Sequence, residues 1–136
     1  MIGEGNNFVR TMRGLADRGA SPSVVDDQVG RLTFTGELVR ATQHLLKVGA
    51  RFGTYNISNA GPAMSWREIA QAVFERSGRS AGDVSATSTQ AYADGVLAQG
   101  KPFAPRPLNS AMSLEKIRAI GFEPEDALIA LDRYLA

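Results

Sequence analysis

The chain is expected to fold as an α/β protein dominated by helices, about five of them with two or three short strands, and three observations carry that expectation. Apolar residues recur at helical spacing in several separate stretches, most of them bounded by a capping residue or a glycine. Two short segments, 23–26 and 53–58, are instead rich in residues that favour strands. Finally, 136 residues that are 43% hydrophobic and 21% charged suit one ordinary domain with one core.

The first helix starts after Asn6 or Asn7, either of which can cap it, and places Phe8, Val9, Met12, Leu15 and Ala16 on one face before stopping at Gly19. Pro22 separates it from the strand at 23–26. A second helix spans residues 35–48, with Leu38, Val39, Thr42, Leu45 and Leu46 as the expected buried stripe. Glu37, Arg40, His44 and Lys47 fall on its other side, so His44 reads as a solvated helix residue. Residues 53–58, GTYNIS, alternate and read as a strand.

Ser65 and Glu68 have the spacing of a capping box, opening a third helix with Trp66, Ile69, Ala70, Val73 and Phe74 inward and Gly78 past its end. Trp66 could stack on a nucleotide base, but its helical spacing with four apolar residues places it in the core. A short strand at 83–87 and a helix at 89–97 interrupted by Gly95 follow. Pro102, Pro105 and Pro107 then forbid regular structure and favour an extended, ligand-facing loop that carries Arg106. Ser113 caps a short helix ending at Gly121, and Pro124 opens the last one, with Ala127, Leu128, Leu131 and Leu135 inward.

Composition excludes several kinds of function. Fifteen basic and fourteen acidic side chains leave a net charge of +1, so no chain-wide field draws in nucleic acid or an anionic membrane, and any anion must be held locally. The absence of cysteine removes disulfides and thiolate metal sites, and a lone His44 removes a multi-histidine one, so no metal is expected. No apolar run approaches the roughly 20 residues that span a bilayer. A cytoplasmic location fits these features, although a chain that enters a helix almost at once looks cut from something larger.

The stretch from Val24 to Phe34, VVDDQVGRLTF, stands out because a strand-forming pair runs into two carboxylates, a carboxamide, a glycine and an arginine. A strand ending in a polar turn of this kind can present backbone amides and short side chains to a ligand; on the residues alone, the plainer reading is a strand followed by a helix-capping loop. Asp26 and Asp27 are not a paired acid and base, because successive strand residues face opposite sides. One is expected to cap the turn and the other to face the site.

Four stretches in order, GNNFVRTM (5–12), VVDDQVG (24–30), GTYNISNAGPAMSWREIA (53–70) and APRPLNSAMS (104–113), resemble the C-terminal part of the dTDP-4-dehydrorhamnose reductases of the extended short-chain dehydrogenase/reductase superfamily. The resemblance implies a mostly helical C-terminal domain over residues 1–136 that closes on a dTDP-sugar, with NADP(H) held by an N-terminal Rossmann half that is missing here. The intact parent would reduce dTDP-6-deoxy-L-lyxo-4-hexulose to dTDP-L-rhamnose with NADPH. No glycine-rich fingerprint follows a strand, and Tyr55, Tyr92 and Tyr134 have no lysine four residues later, so the family's Tyr-x-x-x-Lys donor is absent and the chain alone is expected to bind without catalysing. Relatives usually carry a proline shortly after Gly30, where this chain reads Arg31, Leu32 and Thr33, and often a histidine at Asn56.

By the same resemblance the substrate-binding residues are Asn7, Gln28, Gly30, Arg31 and Arg106. The guanidinium groups of Arg106 and Arg31 suit a diphosphate, and the amides of Asn7 and Gln28 suit sugar hydroxyls or a pyrimidine edge. Gly5 and Gly30 would let the main chain come close. Arg31 is otherwise a surface arginine, and Asn7 otherwise only a helix cap. Two other readings stand beside the reductase: a non-catalytic interaction protein resembling the regulatory subunit of methionine adenosyltransferase, and the matching half of a nucleotide-sugar epimerase or dehydratase. Uncovered strand edge and apolar surface at 53–58 and on the first and third helices would favour a homo-oligomer.

Overall fold

Ser65 and Glu68 close their capping box in the computed structural model, which describes residues 1–136: the Ser65 hydroxyl accepts from the Glu68 N–H at 3.1 Å, and the Glu68 carboxylate accepts from the Ser65 N–H at 2.7 Å. The helix they start, α3 (Trp66–Arg76), buries Ile69, Ala70, Ala72, Val73 and Phe74. The first helix, α1 (Phe8–Asp17), packs on it with Val9, Met12 and Ala16. Phe74 is the largest fully buried side chain. Over its ring, 5.8 Å from the centroid, lies the Arg79 guanidinium, which also donates to the Ala16 carbonyl and pairs with Asp83 at 2.9 Å. One arginine thus closes the C-terminal end of α1, where helix carbonyls lack partners.

These elements belong to one of two compact units, formed by Phe8–Gly30 and Ala63–Ser110. In it β1 (Ser23–Val25) runs parallel to β4 (Ser85–Thr87), Val24 opposite Ala86, with the buried side of β1 against α3. A second ribbon pairs β2 (Val29–Gly30) antiparallel to β3 (Met64–Ser65). Its other edge takes the end of the proline loop: the Val29 N–H donates to the Leu108 carbonyl at 2.8 Å, and the Ser110 N–H donates to the Val29 carbonyl at 2.9 Å. The helix interrupted by Gly95 is continuous as α4 (Thr89–Ala98), capped by the Ser88 hydroxyl, and buries only Ala93.

The other unit comprises Met1–Asn7, Arg31–Pro62 and Ala111–Ala136. It contains α2 (Thr35–Lys47), α5 (Glu115–Arg118) and α6 (Ala127–Leu135). Ala41, Leu114, Ile117 and Phe122 form its core, with Tyr55, Ile57 and Ile120 packed on them. Gly61 sits at φ +96, and a Cβ there would lie 2.6 Å from an Asp126 oxygen, so only glycine fits beside the α6 cap.

Three expectations are corrected here. The buried face of α2 is Glu37 and Ala41, while Val39 and Leu46 of the expected stripe are 56% and 78% exposed. Glu37 is held inside because its carboxylate accepts from the Glu125 N–H at 2.9 Å and from Arg40 at 3.0 Å. His44 is not merely solvated: its Nε2 donates to the Ile120 carbonyl at 2.9 Å, and its ring lies 5.5 Å from Phe122. Within residues 53–58, Tyr55 and Ile57 are half-buried while Thr54 and Asn56 are exposed, but the segment forms no ladder within the chain.

Candidate ligand-binding site

Parallel strands bring their C-terminal ends side by side, and just past the ends of β1 and β4 stand Asp27 and Thr89. The Asp27 carboxylate accepts from the Thr89 hydroxyl at 2.6 Å and from the Thr89 N–H at 3.0 Å. Those bonds hold the Asp27 carboxyl below the usual aspartate range, so it is ionised at neutral pH. An anion at the first turn of α4 also complements the helix dipole. Thr89 in turn accepts from Gln28 Nε2 at 2.9 Å.

Gln28 is only 6% exposed, and it borders a cavity of about 700 Å³. Apolar walls come from Met12 and Leu15 of α1 and from Val24 and Val25 of β1. Two aromatic pairs add to them, Phe8 with Trp66 at 4.8 Å between ring centroids and Tyr92 with Phe103 at 6.3 Å. Arg106, fixed between Pro105 and Pro107, also lines the cavity; it is exposed and forms no hydrogen bond or ion pair with the rest of the chain. The volume and the mainly apolar lining with few polar groups are those of a small-molecule site.

Gln28 and Arg106 therefore border one cavity, whereas the remaining candidates have other surroundings. Gly30 makes room for its own chain: a Cβ there would lie 2.5 Å from the Ser110 hydroxyl. Arg31 donates from Nε to the Gly61 carbonyl at 3.0 Å and from Nη1 to the Met112 carbonyl at 2.8 Å, tying two loops of its unit together. Asn7 donates to the Gly3 carbonyl at 3.0 Å and to the Tyr134 hydroxyl at 2.9 Å. Trp66 is half-buried at the cavity wall rather than enclosed in the core. Sequence reasoning passed over Thr89, Tyr92 and Phe103; the polar ends of two strands that pair in parallel were the available signal for Thr89.

The two strands that run directly into helices, β3 into α3 and β4 into α4, do so through Ser65 and through Ser88, without the glycine-rich turn that cradles a pyrophosphate. No group of three or more His, Cys, Asp or Glu side chains forms a metal site.

The family model for the RmlD substrate binding domain matches residues 2–136. The chain belongs to that family. It is 36% identical over 131 residues to the spore coat polysaccharide biosynthesis protein SpsK of Bacillus subtilis, covering 96% of this chain and 42% of that one. With the dTDP-4-dehydrorhamnose reductase of Mycolicibacterium smegmatis it shares 34% identity over 122 residues, 90% of this chain and 35% of the relative. The crystal structure of dTDP-4-dehydrorhamnose reductase from Bacillus anthracis, in complex with NADP, superposes with a TM-score of 0.82 at 30% identity, covering 97% of this chain and 43% of that one. An RmlD-type substrate-binding domain thus spans about two fifths of the length of these relatives, and its α/β fold is theirs.

Proposed function

We propose that this chain is the C-terminal, nucleotide-sugar-binding part of an NADP-dependent dTDP-4-dehydrorhamnose reductase, acting in cytoplasmic dTDP-rhamnose biosynthesis. The intact enzyme reduces the 4-keto group of dTDP-6-deoxy-L-lyxo-4-hexulose to give dTDP-L-rhamnose, and this part supplies binding while a Rossmann half supplies the nicotinamide and the proton donor. The observation that carries the reading is the cavity in which aromatic walls, the Gln28 amide and an unpaired Arg106 meet. Aromatic rings suit the face of a base or sugar, and a guanidinium at the mouth suits a diphosphate. Residues 53–58, whose main-chain groups have no backbone partner in the chain, offer an edge for the Rossmann half or for a second copy.

Calorimetry with dTDP-L-rhamnose and the purified chain tests this: saturable binding is expected, together with no NADPH oxidation when the 4-keto sugar nucleotide is added. Substrate-dependent NADPH oxidation, or no binding at all, would refute the proposal. Arg106→Ala is expected to weaken dTDP-L-rhamnose by about 1.5 to 3 kcal/mol, roughly ten- to a hundred-fold in Kd. Because Arg106 holds nothing else in place, the variant should unfold at the same urea concentration as the parent. An unchanged Kd would remove Arg106 from the site.

A further inference from the structure

The Asp27–Thr89–Gln28 chain of hydrogen bonds determines which end of the Gln28 carboxamide the cavity meets. An ionised carboxylate only accepts, so the 2.6 Å contact between Asp27 and the Thr89 hydroxyl uses the hydroxyl's single proton. Thr89 Oγ1 can then only accept, and the group facing it at 2.9 Å must be the donor Nε2 of Gln28. Gln28 Oε1 has no partner in the chain. No fully covered side-chain oxygen or nitrogen lacks a partner, so Oε1 keeps part of the 6% of Gln28 that remains accessible beside the cavity.

We propose that Asp27 and Thr89 are positioning residues that lock Gln28 with Oε1 towards the cavity, so that this wall selects a pyrimidine whose N3 carries a hydrogen. The inference rests on the nucleotide-sugar reading and deepens it. Sugar hydroxyls rotate to donate or accept and would not register the lock. A pyrimidine edge does register it: thymine N3–H donates to Oε1, whereas cytosine N3 is an acceptor and meets another acceptor. A site whose polar groups are fixed rejects the mismatched partner, because one group is left desolvated and unpaired.

Two nucleotides that differ only at N3 and the adjoining ring substituent, dTDP and 5-methyl-dCDP, isolate this effect. The unmodified chain is expected to prefer dTDP by roughly tenfold or more in Kd. Thr89→Val removes the acceptor at nearly unchanged shape and frees the amide to turn over, so the preference should fall to within about threefold, chiefly through tighter 5-methyl-dCDP binding. Asp27→Ala, which releases the Thr89 proton, should narrow the preference in the same way, and Thr89→Ser should retain it. A merely structural role for Thr89 would weaken both nucleotides together and leave their ratio unchanged, and that result would overturn the proposal. So would equal affinities in the unmodified chain. Failure of dTDP to bind at all would instead refute the nucleotide-sugar reading, and this inference with it.

Discussion

Phe74→Ala is expected to lower the free energy of unfolding by about 3 to 5 kcal/mol, the usual range for deleting a buried aromatic ring. Phe74 is 0% exposed and lies on the face of α3 that carries Ile69, Ala70 and Val73. Truncation removes the contacts of a whole ring and leaves a void that helix backbones on a fixed frame cannot collapse to fill. It also takes away the surface over which Arg79 lies while holding the end of α1. Phe52 provides the control, since it is fully exposed and Phe52→Ala should stay within about 0.5 kcal/mol. Urea unfolding followed by far-ultraviolet circular dichroism measures both. Because the chain contains two units, the transition is expected to lose cooperativity in the Phe74 variant as one unit melts before the other. A loss below about 1 kcal/mol would mean that α3 is not the spine of its unit.

The elements most legible in the sequence are those whose determinants are local. The α3 capping box, the cap at Ser88 and the glycine stops after α1 and α3 each depend on residues within a turn or two. The face of α2 was not legible for the opposite reason. Counting apolar residues selects Val39 and Leu46, but burial of Glu37 depends on the Glu125 N–H, and the half-burial of His44 depends on the Ile120 carbonyl. Both partners lie more than 75 residues further along, where no periodicity can reveal them. Residues 53–58 show the same limit from another side, because a strand pattern states which residues could pair and not whether a partner is in the chain. At the candidate site, Gln28 and Arg106 stand next to strand-forming or proline-rich segments, but it is the resemblance to the reductases that assigns them to binding. Thr89 escaped because its link to Asp27 spans 62 residues and exists only through the parallel register of β1 and β4. Arg31 drew attention as a cation, yet its donors serve main-chain carbonyls, an outcome a sequence without coordinates does not distinguish from ligand contact.

Asn59→Ala is the second substitution with a large expected effect, about 2 to 4 kcal/mol, and it acts through polar groups rather than volume. Asn59 is fully buried, and its Oδ1 accepts from the Phe34 N–H at 2.9 Å while its Nδ2 donates to the Glu125 carbonyl at 3.2 Å. Phe34 is the N-cap of α2 and has no side chain of its own to cap that helix, so Asn59 supports the entry of the chain into α2. Glu125 directly precedes Asp126, the cap of α6. One amide therefore joins the starts of two helices, and alanine would leave a buried N–H without a partner, which is worse than losing the bond itself. Asn59→Asp separates the two contacts. The new carboxyl still accepts from Phe34, but it can donate to the Glu125 carbonyl only when protonated, so burial and that bond both raise its folded pKa above the unfolded value of about 3.9. Raised in the folded state, it contributes stability that is fully present below the unfolded pKa and is lost as pH rises through the folded one. The gap between Asn59→Asp and the parent chain should thus be small at pH 3.5 and widen towards pH 7, each condition measured by urea unfolding. A gap that stays constant with pH would show that neither burial nor the Glu125 contact distinguishes the two protonation states of the substituted side chain, and the role given to that contact would fall.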